Sequence, residues 1–143
     1  MKVLIINGPN LNLLGIREPG IYGNGTYEDL CVYIKKSAAA MGIEAAFYQS
    51  NHEGAIIDEI HKAMGVYDGI VINPGAYTHY SYAILDALKA VRIPAVEVHI
   101  SDIHARESFR SVSVTAAGCI GQISGHGFQG YREALELLEA QGK

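Results

Sequence analysis

Short apolar runs rich in β-branched residues alternate along this chain with longer stretches whose apolar positions recur at helical spacing. That alternation predicts a parallel sheet covered by helices on both faces. Five strands are expected, at Lys2–Asn7, Glu44–Gln49, Gly69–Asn73, Ala95–His99 and Gly118–Ser124, each apolar along most of its length. Between them, Thr26 is placed to cap a helix that carries Glu28 and Asp29 in its first turn and stops at Gly42. Glu53–Met64 sets Ile56, Ile57 and Ile60 at helical spacing, and Ser81–Val91 does the same with Ile84, Leu85 and Leu88. A last helix, from about Gly130 to Ala140, is expected to turn Leu135, Leu137 and Leu138 inward and its glutamates outward.

Such a series most often folds as a flavodoxin-like three-layer sandwich, with five parallel strands in the order 2-1-3-4-5 and a crevice beyond the strand C-termini at the switch point. At 143 residues and 49% hydrophobic, the chain suits one domain, residues 1–143, with a real core. A net charge of -4 gives no general pull toward nucleic acid or an anionic membrane, so any anion site must be built from a few placed arginines. Cys31 and Cys119 fall in helix-like and strand-like contexts without CxxC spacing, which favours buried free thiols in a reducing compartment. The run Val3 to Ile6 is too short for a signal-peptide core, and nothing later approaches a membrane span. The expected location is the cytoplasm.

The usual tenants of this architecture do not fit. The segment Gly8-Pro9-Asn10-Leu11-Asn12 is not the GxGxxG phosphate turn, and no Walker motif occurs. Asparagines stand where a receiver domain needs acidic residues. His79, His99 and His104 lack metal-ligand spacing, so no metal and no cofactor are expected. None of the lysines falls at a strand C-terminus, which argues against imine chemistry.

Polar clusters do gather where the crevice is expected. The long loop from Gly8 to Gly25 carries Arg17, Glu18 and Tyr22 among glycines, which suits a lid. A guanidinium beside a phenol favours tyrosinate, so Tyr22 is a candidate base; an ordinary surface loop fits these residues alone equally well. Asn73 and His79, in the turn-rich stretch after the third strand, can grip hydroxyls or merely cap the turn and the next helix. Glu97, His99 and Ser101 share one side of the chain if it stays extended, and a carboxylate next to a histidine orients it as a proton donor. Arg106 and Arg110, at a helix-like spacing, offer substrate clamps, although Arg106 equally suits an ion pair with a glutamate.

Four blocks carry a family resemblance: Ile6-Asn7-Gly8-Pro9-Asn10-Leu11-Asn12, Arg17-Glu18-Pro19 with Tyr22-Gly23, Asn73-Pro74-Gly75-Ala76-Tyr77-Thr78-His79, and Glu97-Val98-His99-Ile100-Ser101. With them the chain resembles, over essentially its whole length, the type II 3-dehydroquinate dehydratases of the shikimate pathway. The resemblance implies that Tyr22, its phenolate stabilised by Arg17, removes a proton beside the ketone of 3-dehydroquinate. Asn10 would hold a water against the enolate, and His99, supported by Glu97, would protonate the departing hydroxyl. Asn73, His79, Ile100, Ser101 and Arg110 would bind substrate. Asp86 would reach the site of a neighbouring subunit in a homododecamer built as a tetramer of trimers. Tyr80, Asp102 and His126 depart from the commoner pattern. A binding module without turnover, or a dehydratase or isomerase acting on another ring, would use the same crevice.

Overall fold

A computed structural model describes residues 1–16, 20 and 25–142. Its sheet has five parallel strands, β1 (Lys2–Asn7), β2 (Glu44–Gln49), β3 (Gly69–Asn73), β4 (Ala95–His99) and β5 (Gly121–Ser124), in the order β2-β1-β3-β4-β5. Among the described residues four helices cover it: α1 (Tyr27–Ala40), α2 (Glu53–Lys62), α3 (Tyr82–Val91) and α4 (Gln129–Gln141). The pleat of β1 sorts the layers. Val3 and Ile5 pack with Leu30 and Ile34 of α1 and Leu135 of α4, while Leu4 and Ile6 pack with Ile56 of α2 and Ile84 of α3.

Local chemistry sets the element ends. Thr26 Oγ1 accepts from the Asp29 amide at 3.1 Å and Asp29 Oδ2 accepts from the Thr26 amide at 3.0 Å, a reciprocal cap on α1. Gly42, at φ 71°, ends that helix in the left-handed conformation that glycine adopts most easily.

Three expectations are corrected. The segment expected to open β5 at Gly118 is instead a short 3-10 turn, Thr115–Gly118, and Cys119 follows that turn rather than lying in a strand. The turn packs against α3: a side chain at Gly118 would meet Leu88 Cβ at 3.0 Å, and the first bond to the sheet is Ile120 N to Ala95 O at 2.7 Å. Leu137 is 43% exposed, because it stands two residues from Leu135 and, of the three leucines, Leu135 and Leu138 fall on the buried face of α4. Arg106 and Arg110 do not share a helix, since separate 3-10 turns end near each. Among the described residues no helix is long and apolar enough to cross a membrane.

Candidate active site

The crevice opens where the parallel strands end, beside the point at which chain order reverses between β1 and β3. Its cavity volume is about 190 Å³, and Pro9, Asn10, Leu11, Asn73, Gly75, Ala76, His79, His99, Ile100, Ser101, Ile103, Arg106 and Arg110 line it. Of the residues singled out in the sequence, Asn10, Asn73, His79, His99, Ile100, Ser101 and Arg110 therefore meet on one surface. Glu97 stands behind His99 with no solvent exposure. Asp86 lies on the exposed side of α3, away from this chain's crevice. Arg17, Glu18 and Tyr22 lie outside the described residues.

Close backbone approach builds the floor. Gly8 follows β1 and donates its amide to Asn73 O at 2.8 Å, and a Cβ there would come within 2.6 Å of Pro74 O. Only glycine lets the two loops meet this closely. Asn73 is held at both ends of its side chain: Oδ1 accepts from the Gly75 amide at 3.1 Å, and Nδ2 donates to Tyr131 Oη at 3.0 Å. Tyr131, fully buried on α4, donates in turn to Asn7 Oδ1 at 2.6 Å. Burial pushes its phenol well above the usual tyrosine range, so it stays a neutral hydroxyl. Asn10 adopts the left-handed conformation, φ 69°, and its amide donates to Asn51 Oδ1 at 3.0 Å. His79 Nδ1 stands 2.8 Å from Val112 O, a carbonyl that can only accept, so Nδ1 carries the hydrogen and Nε2 is left to accept.

Glu97 and His99 point to the same side of β4, as the two-residue period requires, and His99 Nε2 lies 2.8 Å from Glu97 Oε2. Ser113 Oγ donates to Oε2 at 2.7 Å, Gln122 Nε2 donates to Oε2 at 2.8 Å, and Thr115 Oγ1 donates to Oε1. Burial alone would raise the Glu97 carboxyl, but the His99 imidazole and the hydrogen bonds from Thr115 and Gln122 outweigh it and hold the group down at about 2. Four donors on one buried carboxylate fix its charge and, through it, the ring. The chain bends after Ile100, so Ser101 does not continue the extended side shared by Glu97 and His99. It nevertheless lines the crevice.

This arrangement links stability to pH. A carboxyl with an ordinary value of 4.5 and a native value of about 2 takes up its proton earlier in the unfolded chain. The stabilisation is complete above about pH 4.5 and drains away as pH falls through about 2. The thermal midpoint should therefore fall more steeply between pH 5 and pH 3 in the native protein than in Glu97→Gln. Equal slopes would show that Glu97 is not the group responsible.

Beyond β4, the Glu107 carboxylate stands 2.8 Å from Arg110 Nε and 4.0 Å from Arg106 Nε. The closer contact is an ion pair without hydrogen-bond alignment, since Arg110 Nε has no hydrogen-bond partner. Arg106 lines the crevice and faces a glutamate, so the geometry is compatible with either reading. Among the described residues no group of three histidine, cysteine, aspartate or glutamate side chains gathers as metal ligands would.

The model of the class II dehydroquinase family matches residues 1–139. The chain belongs to the class II dehydroquinase family. Among its relatives in that family, a 3-dehydroquinate dehydratase of Bacillus cereus is 62% identical over 137 residues, covering 96% of this chain and 94% of the relative. Another from Bacillus cytotoxicus is 59% identical and covers 99% of this chain and 98% of its own. The crystal structure of a type II dehydroquinase from Butyrivibrio crossotus superposes with a TM-score of 0.95 at 58% identity, covering 97% of both chains. That of a type II dehydroquinase from Propionibacterium acnes gives 0.93 at 42% identity, covering 97% of this chain and 96% of the other. The five-stranded order 2-1-3-4-5 agrees with this membership.

Ser113, Thr115 and Gln122 were not legible as site residues, and Thr78 stood in a quoted block without a role. These residues come from separate segments that meet only around Glu97. The one signal was the alternation of hydroxyl and valine residues from Ser111 to Thr115, which reads more readily as a strand edge.

Proposed function

We propose that the crevice removes water from a cyclic hydroxy-ketone acid, with the proton transfers divided between Tyr22 and His99. The activity is that of a type II 3-dehydroquinate dehydratase: 3-dehydroquinate becomes 3-dehydroshikimate and water, a step of the shikimate pathway. The observation that carries the reading is the buried Glu97 carboxylate 2.8 Å behind a histidine that lines a crevice of asparagine, histidine and arginine side chains. A carboxylate so placed supports an imidazolium that can give its proton to a departing hydroxyl.

In this reading Tyr22, with Arg17 stabilising its phenolate, takes the proton from C2 beside the ketone. Asn10 holds a water against the enolate oxygen, and His99 then protonates the C1 hydroxyl as it leaves. Asn73, His79 and Arg110 bind the ring hydroxyls, and the main chain at Ile100 and Ser101 holds the carboxylate. The elimination uses no imine and no metal; among the described residues no lysine lines the crevice. Residues 1–143 act as one catalytic domain in the cytoplasm. Trimers grouped into a dodecamer bring Asp86 of one subunit to the crevice of the next. Light scattering that returned a monomer at working concentration would overturn this assembly.

The test of the activity is ultraviolet absorbance with 3-dehydroquinate, because the product is a conjugated enone. A rise that survives chelator and borohydride is expected. Its absence from folded protein would leave a binding module as the better account.

A further inference from the structure

Around Glu97 the hydrogens can be counted. Three hydroxyls cluster there: Thr78 Oγ1 lies 2.8 Å from Ser113 Oγ and 2.7 Å from Thr115 Oγ1. Each hydroxyl has one hydrogen to give. Ser113 and Thr115 give theirs to the Glu97 carboxylate. Thr78 then gives its hydrogen to one of those two nearer oxygens, which turns its lone pairs toward His99 Nε2, 3.5 Å away. The closer neighbour of that nitrogen is Glu97 Oε2 at 2.8 Å, which is also an acceptor. A ring nitrogen that faces acceptors alone must carry a hydrogen. Gln122 adds a further donor to Oε2, the oxygen that faces His99, so a hydrogen placed on that oxygen would have to displace a donor already there.

We propose that Thr78, Ser113, Thr115 and Gln122 are positioning residues that keep the shared proton of the Glu97–His99 pair on the imidazole, with Nε2 permanently protonated and Nδ1 the atom that delivers to substrate. The proposal rests on the dehydratase reading and adds to it the atom and the groups that select it. In the second half of the reaction the Nδ1–H proton passes to the C1 hydroxyl and the C1–O bond breaks with loss of water. The enolate electrons form the C1–C2 double bond as the ketone is restored. The ring is left neutral with its hydrogen on Nε2, still bonded to Glu97.

Few other charges bear on the pair. The Cys119 thiol faces Glu97 from the end of the 3-10 turn, where burial pushes it up to about 12 and keeps it neutral. His79, Arg106 and Arg110 stand on the crevice that His99 also lines. None of these donates to the carboxylate among the hydrogen bonds described. The hydroxyl cluster and Gln122 therefore decide where the proton resides.

Two measurements on the whole protein test this. The first is ¹⁵N magnetic resonance of His99, in which the neutral ring should show the Nε2–H form. The second is the pH titration of the Glu97 carboxyl, followed by its ¹³C resonance. Thr115→Val removes a donor from the carboxylate, and the midpoint should move up by about one pH unit. Thr115→Ser should restore it. Thr78 and Thr115 are fully buried, so Gln122→Met, on the exposed edge strand, provides a variant that folds readily; its midpoint should move in the same direction. An unmoved midpoint in folded Thr115→Val and Gln122→Met, or a neutral His99 with its hydrogen on Nδ1, overturns the proposal. A native protein without turnover would sink the dehydratase reading instead, and the resonance measurement would still decide the tautomer.

Discussion

Replacing His99 with alanine should lower kcat roughly a hundred- to ten-thousand-fold, the range that a positioned general acid contributes. In free energy this is about 3–5 kcal/mol of transition-state stabilisation, at 1.36 kcal/mol for each factor of ten. The variant should fold, because Glu97 keeps its donors Ser113, Thr115 and Gln122 when the imidazole is gone. KM should change far less than kcat, since the leaving hydroxyl gains its proton only as the reaction proceeds. Because the enolate still forms, it should return to substrate faster than it loses hydroxide. In deuterated water the recovered substrate should then carry deuterium at C2. A loss in kcat below tenfold would remove His99 from the role of acid.

Tyr22→Phe should lower kcat over a similar range, and here the deuterium exchange at C2 should vanish with the turnover. The contrast orders the two steps: a chain without its base forms no enolate, whereas a chain without its acid forms one that cannot proceed. Ligand affinity, measured by calorimetry with the product, should stay within a few-fold of the native value in both variants. If Tyr22→Phe still exchanged C2 at the native rate, another group would be the base. These outcomes do not depend on the position of Tyr22 beyond its access to C2.

Where local rules act alone, the chain could be read closely. β1, β3 and β4 were legible to the residue because each is buried along nearly its whole length, and β2, a half-buried edge strand, because its apolar centre is bounded by polar residues. The pairing of Glu97 with His99 followed from the period of a strand. Legibility failed where a neighbour decided the outcome. Gly118 packs on α3 instead of entering β5, and Leu137 faces outward although it is as apolar as Leu135 and Leu138. The donors around Glu97 escaped for a related reason. Thr78, Ser113, Thr115 and Gln122 are ordinary polar residues in sequence and become a set only when the turns after β3 and before β5, and β5 itself, meet β4. Asn10, Asn73 and His79 were legible as candidates because turn-forming polar residues at strand ends are where this architecture puts its ligands.

Tyr131 ties α4 back to the ends of β1 and β3. Its hydroxyl lies between Asn7 and Asn73, 124 positions from one and 58 from the other. During synthesis the first four strands leave the ribosome well before this residue does, and until α4 docks both asparagines lack their partner. The crevice floor is therefore among the last parts of the molecule to be set. A polypeptide cut short ahead of α4 would contain all five strands and every lining residue of the crevice, yet Asn73 would be held only through its Oδ1. The last fixed contact of the crevice floor thus waits for α4 to be made and docked.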